Sequence, residues 1–86
     1  MQAYVYKSGR KSETYVYFAV REDFSALPES LQAELGALRF VLEIALSPER
    51  KLARAETGTV MDALRAQGFY IQFPPPPDHL VSPSDV

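Results

Sequence analysis

One histidine, His79, and no cysteine stand among the 86 residues. Disulfides, thiolate nucleophiles and cysteine-built zinc sites are therefore excluded, and a zinc site on His79 would have to be completed by carboxylates alone. His79 follows four consecutive prolines, residues 74–77, so a Ser-His-Asp arrangement would first require this tail to be pinned. The stretch SGRKS, residues 8–12, lacks the GxxxxGK[ST] spacing of a phosphate loop, and no helix follows it. It reads as the exposed loop of a hairpin. Glu22 and Asp23 are adjacent, which suits solvation or capping better than an acid/base couple. Glu43 lies mid-strand four residues after Arg39, too far along an extended backbone to pair with it, so each must look to another strand or to water. A carboxylate site around Glu43 is the one enzymatic reading left. No catalytic residue, metal or cofactor is predicted.

Aromatic hydroxyls and clumped positive charge are better supplied. The triplet YVY occurs at residues 4–6 and again at 15–17, and the fifth tyrosine is Tyr70. Six of the nine basic residues form two groups, Lys7/Arg10/Lys11 and Arg50/Lys51/Arg54. Basic loops beside exposed rings can hold single-stranded nucleic acid, by neutralising phosphates and stacking bases. RNA is thus one possible partner. Against it, the formal charge is −2. The two basic groups also fall at opposite ends of a sheet if the chain crosses back after the second strand. The candidate binding residues are Tyr4, Tyr6, Tyr15, Tyr17 and Tyr70, rimmed by Lys7, Arg10, Lys11, Arg50 and Lys51.

These side chains must be carried by one small domain. With 47% hydrophobic and 23% charged residues the composition is that of an ordinary globular protein. Residues 1–77 are expected to form the domain, and residues 78–86 a flexible tail. The N-terminus alternates like a strand instead of presenting an apolar leader, and no stretch approaches the ~20 apolar residues of a membrane helix. The expectation is a cytoplasmic protein with no membrane partner.

Residues 2–7 and 14–20 are alternating β-branched and aromatic runs joined by SGRKSE, the pattern of a β-hairpin. Leu27, Leu31 and Leu35 then recur every four residues, which predicts a short helix after Pro28, stopped by Gly36. Residues 38–46 alternate again as a strand. SPER is a turn, and KLARA is either a short strand or the entry to a second helix over about residues 55–67. That helix has Val60, Met61 and Leu64 on its buried side and Gly68 at its end. FYIQF is the last strand, and the prolines forbid further pairing.

Alternation sends neighbouring residues to opposite faces. If residues 38, 40, 42, 44 and 46 face the helices, Ala3, Val5, Val16, Phe18, Val20, Phe69, Ile71 and Phe73 are expected to join them. All five tyrosines then share the other face. Phenyl rings on a dry face and phenols on a half-open one is the sorting expected from a single hydroxyl. On such a face the rings pair with one another across strands, or lie under the proline segment, or form a docking surface.

The segments YVYKSGRKSETYVYFAVREDFSALPESL, SPERKLARA and GFYIQFPPPP resemble the YcgL-domain family of small bacterial proteins, over most of residues 1–80. The resemblance implies a cytoplasmic α/β sandwich of order β-β-α-β-β-α-β, with KLARA as a strand. It implies no activity and supplies no catalytic residues. The expected fold is therefore α+β, a small two-layer sandwich with a mostly antiparallel sheet and two helices on one face. The expected function is a non-enzymatic binding or adaptor module, with a protein partner favoured over RNA, acting as a monomer or weak homodimer.

Overall fold

A computed structural model describes residues 1–50, 52 and 56–74. Its elements are β1 (Gln2–Ser8), β2 (Tyr15–Phe18), α1 (Glu29–Leu35), β3 (Leu38–Ala45), α2 (Thr57–Gln67) and β4 (Phe69–Gln72). The strands form one sheet of order β3-β1-β2-β4, and every neighbouring pair is antiparallel. The α+β class and the antiparallel sheet are thus as expected. The KLARA strand, Lys51 and the tail from residue 75 lie outside the described residues, Leu52 excepted. No helix among the described residues is long and apolar enough to cross a membrane.

The helix ends follow local chemistry. Pro28 caps α1 in an extended conformation, and its carbonyl accepts the N–H groups of Leu31 and Gln32, both at 3.0 Å. Gly68 ends α2 in the left-handed conformation, donating to the carbonyls of Ala63 and Leu64 at 3.2 and 3.0 Å.

The register of the hairpin differs from the expected one, and everything about the faces follows from that. Tyr4 lies opposite Phe18, Val5 opposite Tyr17, and Tyr6 opposite Val16. Residues directly opposite share a face, so the tyrosines of β1 point the same way as Val16 and Phe18. The tyrosines of β2 point the other way, with Val5. A slip of one residue inverts every side chain of a strand, and alternation alone cannot fix it.

A second departure sits in β3. Its register with β1 shifts between Val5, opposite Leu42, and Tyr6, opposite Phe40. Val41 is thereby the extra residue of a bulge, which moves the strand out of phase with itself. Leu38 and Phe40 consequently join Tyr6, while Leu42 and Ile44 fall on the face of Val5 and Ala3.

Each face packs on its own helix. Leu35 and Leu31 of α1, with Leu27 and Phe24 before it, cover Tyr6, Val16, Phe18 and Phe69. Val60, Met61 and Leu64 of α2 cover Ala3, Val5 and Tyr17. The helices therefore flank the sheet, one on each side, where the sequence reading puts both on one side. The reason is visible in YVY and YVYF: residues of both parities carry large apolar bodies, and only a layer on each face can bury both.

Candidate functional site

The single tyrosine face does not form. Tyr4 and Tyr6 lie on the α1 side, and Tyr15, Tyr17 and Tyr70 on the α2 side. Tyr6 is 2% exposed and is core. Its ring meets Phe18, Phe24 and Phe40 edge-on, with centroids 5.5, 5.0 and 5.4 Å away, and its hydroxyl accepts the N–H of Glu22 at 2.8 Å. Tyr17 is 6% exposed, donates to Gln72 Oε1 at 3.0 Å and meets Tyr70 edge-on at 6.1 Å. Burial first, and the neighbouring Tyr70 second, push the Tyr17 phenol above its ordinary value. Phenols tolerate this burial because each hydroxyl finds a partner. Tyr4, Tyr15 and Tyr70 are half-buried.

The basic hairpin loop is also less free than its sequence predicts. Ser8 is buried; its hydroxyl donates to the Leu35 carbonyl at 2.6 Å and accepts the N–H groups of Arg10 and Lys11 at 3.2 and 2.9 Å. The N–H groups of Gly9 and Arg10 reach the carbonyls of Ala37 and Leu35 at 2.8 and 3.2 Å, and Arg10 Nη1 reaches Ala33 O at 2.7 Å. Lys11 lies 3.5 Å from Glu34. Helix α1 has no basic residue in its own last turn. The hairpin loop supplies the cation that the carboxyl end of the helix dipole favours, and the donors that its last carbonyls need. Arg10 and Lys11 are thus engaged within the fold. Gly36 is required there: its φ of 71° with ψ of −154° suits glycine alone, and the aliphatic chain of Arg10 passes where a Cβ would stand.

Arg50 is exposed at the opposite end of the sheet, beyond the rung that joins Leu46 to Met1. Its carbonyl accepts the Thr57 hydroxyl at the start of α2. Arg50 is therefore not brought to Lys7, Arg10 and Lys11, and Lys51 and Arg54 lie outside the described residues. Glu43 accepts a hydrogen bond from Gln2 and sits opposite Tyr4 on the α1 side. The bulge sends Arg39 to the other side, opposite Lys7. No site joining Glu43 to Arg39 is assembled.

A different group is assembled instead. Arg39, Lys7, Tyr15 and Gln72 lie opposite one another in turn, one residue from each of the four strands, on the α2 side. One step toward the other end, Val5 and Tyr17 are buried under α2, whereas Lys7 and Arg39 are exposed and Tyr15 and Gln72 half-buried. The row sits at the margin of this core, with Tyr15 packed against it and the two cations open to solvent. A cavity of about 210 Å³ opens there, lined by Lys7, Ser8, Gly9 and Arg39. The sequence reading names Lys7 and Tyr15 as binding residues; alternation also puts Arg39 and Gln72 on the face of Tyr15, but only the register sets the four in one row and brings Ser8 beside them.

Three similar proteins carry no activity in their names. A YcgL domain-containing protein of Xanthomonas euvesicatoria is 58% identical over 74 residues, 86% of each chain. A second, from Xanthomonas oryzae, is likewise 58% identical over 74 residues, 86% of each chain. One from Stenotrophomonas maltophilia is 53% identical over 75 residues, 87% of each chain. The family model of the YcgL domain matches residues 3–75, from the first strand to the prolines, and the chain belongs to the YcgL domain family.

Proposed function

We propose that this YcgL-domain protein is a non-enzymatic binding or adaptor module of the cytoplasm, which docks an acidic segment of a partner protein on the row Arg39–Lys7–Tyr15–Gln72. The observation that carries the reading is the alignment of these four residues across all four strands, with both cations exposed. A net-negative chain holds two exposed cations side by side at this place, and a half-buried ring and an amide extend the surface. Charge complementarity of this kind steers encounter and sets register.

Single-stranded RNA is the weaker reading. Stacking needs rings with an open face, whereas Tyr6 and Tyr17 are packed edge-on within the core. The test is capture from native bacterial lysate on immobilised full-length protein, wild type beside Lys7→Glu/Arg39→Glu, with and without ribonuclease. Proteins retained by the wild type after ribonuclease and lost by the variant are expected. The same set on both columns would refute the docking row, and capture abolished by ribonuclease would put RNA in its place.

A further inference from the structure

We propose that the cleft between Lys7 and Arg39 binds a phosphoryl group. In an antiparallel pair, directly opposite residues stand about 5 Å apart at Cα, and like charges so placed destabilise the sheet. Lys7 and Arg39 are such a pair. Neither has an acidic partner among the described residues, although Lys11, Arg21 and Arg65 each have one. The arrangement becomes favourable when an anion stands between the two charges.

The lining narrows the chemistry. The Ser8 hydroxyl donates to Leu35 O and the Gly9 N–H to Ala37 O, so neither is left to recognise a ligand. The remaining donors are an ammonium and a planar guanidinium fork, the pair that suits a phosphoryl group. Two cations match the charge of a phosphate near −2 better than that of a carboxylate. At about 210 Å³ the cleft is smaller than a typical drug-sized pocket, so it takes a small oxyanion or the phosphorylated end of a small molecule. The cleft lies within the row described above and rests on that row being a contact surface.

The test titrates ¹⁵N-labelled full-length protein with inorganic phosphate and, separately, with glycerol phosphate, each against sodium chloride and sodium acetate of equal ionic strength. Saturable amide shifts confined to residues 7–9 and 38–40 are expected. Arg39→Gln and Lys7→Gln should each weaken the affinity roughly tenfold or more, with the rest of the spectrum unchanged. Tighter binding of glycerol phosphate would identify a phosphomonoester as the ligand, and equal binding the free anion. Shifts that do not saturate, that acetate reproduces, or that keep the wild-type affinity in Arg39→Gln would overturn the proposal. Absence of phosphate binding with capture still lost in Lys7→Glu/Arg39→Glu removes only the phosphoryl site. Phosphate binding with capture unchanged in that variant removes only the protein-docking row.

Discussion

Replacing Tyr6 by alanine decides between two views of the YVY triplets. If Tyr6 belonged to an open face, its truncation would alter binding and leave stability almost untouched. In the structure its ring is 2% exposed and touches three phenylalanine rings edge-on. Truncating a buried aromatic removes ~3–5 kcal/mol, through lost transfer energy and the cavity left behind. A domain of this size is stable by roughly 4–13 kcal/mol, so the variant should lose a large share of its stability. Tyr6→Phe isolates the hydroxyl. It keeps the ring and leaves the Glu22 N–H without its 2.8 Å acceptor, a loss of about 1 kcal/mol. Urea unfolding followed by circular dichroism measures both, with an unchanged slope confirming that the midpoints report stability. A loss below about 1 kcal/mol for Tyr6→Ala, far under the ~3–5 kcal/mol of buried aromatic truncations, would show that the ring is not core.

Two further outcomes are expected. Gly36→Ala should lower stability by ~1–3 kcal/mol, read from thermal or urea midpoints, because alanine is strained at φ 71°, ψ −154° and its Cβ meets the Arg10 side chain. A change within about 0.5 kcal/mol would contradict the tight seating of the hairpin loop on α1. Tyr17 is neutral and buried, with its phenol held above 10.0, so its contribution is complete below pH 10 and is lost as pH rises through the higher folded value. Urea midpoints should therefore fall above about pH 10 in the wild type and fall less in Tyr17→Phe, and equal alkaline slopes would refute the assignment.

Much of the architecture is legible from residue types and spacing. Alternation in residues 2–7 and 38–46 marks strands, the four-residue spacing of Leu27, Leu31 and Leu35 marks the α1 region, and Gly36 and Gly68 mark the helix ends, because each signal is local. The same is true of the buried side of α2, where Val60, Met61 and Leu64 face the core as their spacing predicts. The quoted motifs were also enough to point to the YcgL family.

What alternation cannot supply is the phase of one strand against another. It says that Tyr4 and Tyr6 share a face and that Tyr15 and Tyr17 share a face, but not whether those faces coincide. The hairpin closure, where the Ser8 N–H reaches the Thr14 carbonyl at 2.9 Å, puts Tyr6 opposite Val16 and thereby separates the two pairs. The bulge at Val41 then sends Arg39 to Lys7 and Glu43 to Tyr4, and the contact of the loop with α1 withdraws Arg10 and Lys11 from the free cations. Period, caps and breakers were thus settled by neighbours in the chain. Which side each ring faces, and which charges remain unpaired, was settled only by contacts between distant segments, since side-chain direction in a sheet is inverted by a displacement of one residue.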